Sequence, residues 1–172
     1  NNKQSMRSIF ILIFSINMFV NAQEKWYYGN LKNVNELSIH IEIDSLEDQL
    51  WVNRIMNYVE LSLAQTSIRI DKTIPIPRLA VEIFIIDSNV DKVSSFMINY
   101  CLYNYALPDK EYIESVKDTM ITKKFRIHKV YEKEILGQSN SSSIHLKIEE
   151  AIIKHTSDFV GQWFRDNPLR QF

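Results

Sequence analysis

The sequence predicts a two-layer α+β sandwich: two long helices on one face of a four-stranded, mostly antiparallel sheet, in the order β-α-β-β-β-α. Three observations predict it. Apolar and polar residues alternate in ELSIHIEID (36–44) and RLAVEIFIID (78–87), the period of a strand with one buried face. Apolar residues recur at helical spacing in LWVNRIMNYVELSLAQ (50–65) and SIHLKIEEAIIKHTSDFVGQWFRDNP (143–168). The lengths also agree: a helix of about 23 residues and a strand of about eleven both cover roughly 35 Å.

In the first strand Leu37, Ile39, Ile41 and Ile43 face one way, and Ser38, His40, Glu42 and Asp44 the other. Ser45 with Asp48 three residues on resembles a capping box, and acids in a first turn suit the helix dipole. Val52, Ile55, Met56, Val59 and Leu63 then mark a helix over 46–66. It hands over to a short extended piece, Ile68-Arg69-Ile70, and a loop fixed by Pro75 and Pro77. The next strand has Leu79, Val81, Ile83 and Ile85 on one face and Ala80, Glu82, Phe84 and Ile86 on the other. DSNVDK (87–92) is turn chemistry.

SSFMINYCLYNYA (94–106) is dense in β-formers, with Phe96, Ile98, Tyr100 and Leu102 inward and Met97, Asn99, Cys101, Tyr103 and Tyr105 outward. Pro108 stops this strand, and 108–118 reads as a loop or one helical turn. In ITKKFRIHKVYEKEILG (121–137), Phe125, Ile127, Tyr131 and Ile135 share a parity broken by Lys129. Lys124, Arg126, His128, Glu132 and Glu134 lie opposite. A polar loop over 138–143 leads to the final helix, striped by Ile144, Ile148, Ala151, Ile152, His155, Phe159 and Trp163, with Pro168 past its end. The strand–helix–strand opening is expected to cross over right-handed, and the later strands to form an antiparallel meander.

The first residues set the compartment. A spanning helix needs about 20 apolar residues. Here Arg7 precedes twelve mostly apolar positions, Ile9–Val20, which include Ser15 and Asn17 and lead into Val20-Asn21-Ala22. That is the layout of a secretory signal over 1–22, with 1–5 an upstream extension before Met6 and cleavage after Ala22. An uncleaved anchor is the alternative. No Cys follows the cleavage point to carry a lipid. Loss of Lys3 and Arg7 takes the 20 basic residues to 18 against 21 acidic ones, a net charge of −3. A weakly acidic chain has no electrostatic reason to hold nucleic acid or an anionic membrane. Cys101 is the only cysteine, so no internal disulfide is possible. Residues 23–35 read as a polar, aromatic tether carrying Trp26 and Tyr27, and 36–172 as a single α+β domain.

Equipment for chemistry is sparse. His40 with Glu42, or His128 with Glu132, makes at most half a metal site, because such sites need three or four converging ligands. No metal and no cofactor is expected. His155 interrupts an apolar stripe and reads as a partly buried histidine, with Asp158 at i+3 a possible partner. Cys101 lacks a sequence-evident activating base and reads as a buried or half-buried thiol. Glu149 and Glu150 point about 100° apart and read as a solvated face. Three glycines, Gly29, Gly137 and Gly161, cannot build a phosphate loop. Asn140-Ser141-Ser142 is a glycosylation sequon, relevant only in a eukaryotic secretory pathway.

The outer sheet face is the candidate binding surface. It is expected to carry Phe84, Ile86, Tyr103 and Tyr105, bordered by Arg126 and His128, with Met97, Cys101 and Lys124 nearby. The competing expectation folds residues 23–35 over it.

Three segments, VELSLAQTSIRI (59–70), PRLAVEIFII (77–86) and IEEAIIKHTSDFVGQWFRDNP (148–168), resemble a loose group of small exported bacterial proteins of unknown function. In that group a helix runs into an (I/V)-R-(I/V) piece, a P-x-L-x-V-x-(I/V) strand follows, and the last helix closes on a W/F…NP pattern. Ser67 stands where the group usually has Gly. The element order is also similar to the lipoprotein partner of the outer-membrane lipopolysaccharide-assembly barrel, although the lipidated Cys is missing. No catalytic residues come with either resemblance.

These readings imply an exported, non-enzymatic envelope protein, in the periplasm, cell envelope or medium, that binds a protein or envelope component and has no transmembrane span in the mature chain. The alternative is an accessory subunit of a surface or secretion assembly, joined through a strand edge. A small hydrolase using His155 or His128 as base is the third reading.

Overall fold

The computed structural model describes residues 29–44, 48–87, 92–106 and 125–170. Their fold is α+β, with two helices over a mixed five-stranded sheet. Strands β1 (Glu36–Ile43), β2 (Arg69–Ile70), β3 (Arg78–Asp87), β4 (Val93–Ala106) and β5 (Arg126–Asn140) lie in the order β2-β1-β3-β4-β5. The helices are α1 (Gln49–Leu63) and α2 (Ile144–Asp166).

The expectation of four strands, mostly antiparallel, needs correction. β1 is parallel to both β2 and β3, whereas β3–β4 and β4–β5 are antiparallel. α1 carries the chain back across the sheet, so the strands on either side of it run the same way. The extra strand is the Ile68-Arg69-Ile70 piece, whose Arg69 and Ile70 pair with Glu36 and Leu37. Arg69 N–H donates to the Asn35 carbonyl (2.8 Å) and Asp71 N–H to that of Leu37 (3.0 Å). The Arg69 guanidinium also ion-pairs with Glu36.

The two helices pack on each other and on one sheet face. α1 buries Trp51, Ile55, Val59 and Leu63, every fourth residue, and α2 buries Ile144, Ile148, Ile152, Phe159 and Trp163. These meet Leu37, Leu79, Val81, Ile83, Ile98, Tyr100, Leu102 and Tyr131 in one core. Tyr100, Tyr131 and Phe159 pack with centroids 5.1–6.3 Å apart. α1 is shorter than the expected 46–66 at both ends. Asp48 caps it, its Oδ1 accepting from the amides of Leu50 (3.0 Å) and Trp51 (3.1 Å). The expected cap, Ser45, lies outside the described residues. Past Leu63, Gln65 N–H donates to the Ser62 carbonyl and Thr66 N–H to that of Leu63, tightening the last turn to a stop.

Glu149 is not on a solvated face. It is buried between the helices, where Oε1 accepts from Trp51 Nε1 (2.9 Å) and Arg54 Nη1 (3.3 Å) and Oε2 from the Tyr58 hydroxyl (3.4 Å). Glu150 is exposed and pairs with Lys147 at 2.7 Å.

The described part of the expected tether is built into the helix-covered side. Leu31 and Val34 belong to the core. Asp166, at the end of α2, accepts from the amides of Gly29 (2.9 Å) and Leu31 (3.0 Å). Asn167 accepts from Asn33 N–H (3.0 Å) and donates to the Leu31 carbonyl (3.0 Å), and Trp163 Nε1 donates to that of Val34 (2.8 Å). Gly29 takes φ +83°, a conformation in which a side chain is strained. Trp26, Tyr27 and the signal-like run fall outside the described residues. No helix among the described residues is long and apolar enough to cross a membrane.

Candidate functional site

Among the described residues no helix packs on the second face of the sheet. Residues directly opposite on paired strands point to the same side, so the register builds this face row by row. Ser38, Arg78, Tyr103 and Lys129 form one row; His40, Ala80, Cys101 and Glu132 the next. Glu42, Glu82, Asn99 and Glu134 form the third. Phe84, Met97 and Leu136 form the fourth, and Ile86, Ser95 and Gln138 the fifth. Tyr105 and Ile127 pair at the opposite end, beyond Tyr103.

The two ends differ from the middle. Leu136 is 79 % exposed, Ile86 72 %, and Phe84 and Met97 36 % each. The middle is a polar lattice. Asn99 Nδ2 donates to Glu82 (2.9 Å) while its carbonyl oxygen accepts from the Cys101 thiol (2.9 Å). Lys129 ion-pairs with Glu132, and the Arg78 guanidinium lies 5.5 Å from the centroid of the Tyr103 ring. Cys101 and Ala80 are small and buried, overtopped by the longer side chains around them. Burial pushes the Cys101 thiol up to about 11, with Glu132 and Glu82 adding to the rise and Lys129 opposing it. It is therefore a protonated thiol near neutral pH.

Four of the six expected face residues come together here: Phe84 and Ile86 on β3, Tyr103 and Tyr105 on β4. Arg126 and His128 do not. They lie opposite Ala106 and Asn104, which have the parity of the helix-covered face. The cause is a bulge: Leu102 pairs with Tyr131 but Tyr103 with Lys129, so Val130 is an extra residue in β5. One inserted residue inverts the parity of everything before it. Lys129 and Ile127 take the places assigned to the two cations, and Glu132, Glu134 and Leu136 complete the face. The signal was present as Lys129, the charge that interrupts the apolar parity of Phe125, Ile127 and Tyr131.

The histidines and the thiol do not assemble a reactive pair. His40 shares a row with Cys101 but lies two strands away, about 10 Å. Its Nε2 lies 3.7 Å from Glu42. His155 is on α2, partly buried, with Nδ1 3.7 Å from Asp158, beyond hydrogen-bond reach. Burial holds its imidazole below the usual histidine range. His145 stacks on Trp51 at 4.1 Å between centroids. Among the described residues no group of three or more His, Cys, Asp or Glu converges as a metal site.

Two hollows adjoin these features. One, about 610 Å³, lies at the end of α2 beside Gly29, Asn33, Asp166 and Asn167, whose polar groups already hold the N-terminal segment. The other, about 420 Å³, opens where β4 meets β5, between Ser95, Phe96, Leu136, Gly137 and Gln138, residues of both sheet faces. Gly137 lies opposite Phe96 on the helix-covered parity and makes room for its ring, since a Cβ there would stand 2.4 Å from Phe96 Cζ. No family model, no curated protein and no solved structure matches this chain.

Proposed function

We propose that this chain is an exported, non-enzymatic binding module of the cell envelope that holds a partner on the helix-free face of its sheet. The observation that carries the reading is the exposed row Phe84–Met97–Leu136, extended by Ile86. Isolated exposed apolar residues are ordinary, but a row in register across three strands is the form a contact patch takes. Export rests on the run from Arg7 to Ala22 and fits the resemblance to small exported proteins. A non-catalytic role is supported by the protonated thiol and the scattered histidines.

One observation favours the assembly-subunit reading. β5 is fifteen residues long and, among the described residues, forms one edge of the sheet. Such an edge can accept a partner's strand. The bulge at Val130 and the charges on Lys129, Glu132, Lys133 and Glu134 limit indiscriminate pairing.

The test is photo-crosslinking in the producing cell, with a photoreactive residue at position 97 and a control at position 153 on the exposed side of α2. A discrete adduct from 97 alone supports the reading. Equal adducts from both positions, or none from 97, overturn it.

A further inference from the structure

We infer that the partner of this face is a basic polypeptide segment, seating an apolar side chain on Phe84, Met97 and Leu136 and a lysine or arginine over Glu82 and Glu134. The inference rests on the binding reading above and gives its occupant a chemistry.

Charge is the first argument. The described face carries Glu42, Glu82, Glu132 and Glu134 against Arg78 and Lys129. Both cations lie in the first row and are engaged, Lys129 with Glu132 and Arg78 on the Tyr103 ring. His40 stands beside Glu42. Among the described residues no cation pairs with Glu82 or Glu134, which flank Asn99 in the row next to the apolar one. Like charges spread across one row of a sheet cost stability unless something neutralises them.

Geometry is the second. Neighbouring rows are two residues apart, about 6.6 Å along the strands. Alternate side chains of an extended chain have the same spacing. A segment laid along the strand direction therefore presents a basic residue to the Glu82–Asn99–Glu134 row and an apolar one, two positions on, to the Phe84–Met97–Leu136 row.

Other occupants fit less well. An anionic lipid surface or a nucleic acid meets the uncompensated carboxylates with like charge. A second copy docked face to face about a two-fold axis through this row stacks the carboxylates on themselves.

The test is a titration of the chain, followed through its backbone amide resonances, with a short synthetic peptide that alternates Thr with Lys and Val in turn. Controls replace Lys by Gln or by Glu. The Lys peptide is expected to shift amides around 82–86, 95–99 and 134–138, and the Glu peptide none. Glu82→Gln with Glu134→Gln should weaken it between about twofold and thirtyfold, the range that two exposed charge pairs cover. Leu136→Ser with Met97→Ser should weaken it comparably. All four side chains are at least partly exposed, and unchanged dispersion of the other resonances checks the fold. A Gln peptide that binds as tightly at the same amides overturns the basic-partner inference while leaving the binding face standing. Lys-peptide shifts that are absent or elsewhere overturn it, as does co-sedimentation with phosphatidylglycerol vesicles or self-association through these amides. A partner crosslinked from position 97 but lacking a basic segment defeats this inference alone; no adduct from 97 defeats both.

Discussion

Glu149→Ala removes the carboxylate that ties the two helices together. The indole N–H of Trp51, itself 1 % exposed, is left without its acceptor. An unsatisfied buried donor costs about 1–3 kcal/mol. Arg54 adds little, because its side chain is 58 % exposed and rehydrates. Tyr58 is half-buried at 3.4 Å and adds less than Trp51. With the void left by the side chain, the loss comes to about 2–4 kcal/mol. Urea unfolding reads this as a midpoint lowered by roughly 1–2 M at an m-value near 2 kcal/mol per M. Glu149→Gln keeps an oxygen for Trp51 and should lose about 1 kcal/mol. Glu150→Ala, one residue on, should stay within ~0.5 kcal/mol of the parent. If all three variants unfold at the same urea concentration, the buried carboxylate does not hold the helices.

Other outcomes follow from single contacts. Cys101 should resist iodoacetamide at pH 8 in the folded chain and react once urea unfolds it. Its raised value means the thiol's contribution to stability is complete below the unfolded thiol range and is lost as pH rises through about 11. His155 has the opposite sense. Burial lowers its value and the nearby Lys154 and Lys133 reinforce this, with Asp158 opposing. Its contribution is present above the unfolded histidine value and is lost as pH falls through the lowered folded one. Replacing His155 with Gln should therefore flatten the fall in urea midpoint between neutral and mildly acidic pH. Asp166→Ala frees the amides of Gly29 and Leu31, so both should exchange hydrogen faster while those of β3 and β4 do not change.

Much of the fold was legible because periodicity reports which side of an element is dry. The alternation in β1, β3 and β4 identified Leu37, Leu79, Val81, Ile83, Ile98, Tyr100 and Leu102, all buried. The α2 stripe identified Ile144, Ile148, Ile152, Phe159 and Trp163. What stayed hidden depended on partners far away in the chain. Two residues, Arg69 and Ile70, are too few to show a strand period, so β2 and its parallel pairing could not be read locally. Glu149 looks solvated by residue type. Its burial is set by donors about 95 positions earlier, at Trp51 and Arg54. Leu31 and Val34 sit in a polar stretch and are buried only because Asp166, Trp163 and Asn167 hold the backbone around them. On the candidate face, β3 and β4 were read in phase. β5 was not, because the bulge at Val130 moved Arg126 and His128 off that parity.

The central claim is that one side of the sheet is sealed by both helices and the other is open to a partner. Hydroxyl-radical footprinting of the isolated chain tests it most directly. Met97, Tyr105, Leu136 and Ile86 should be modified readily while Tyr100, Leu102, Tyr131 and Phe159 are protected. Comparable protection of the two sets would mean that the supposedly open side is already occupied, and would contradict the account.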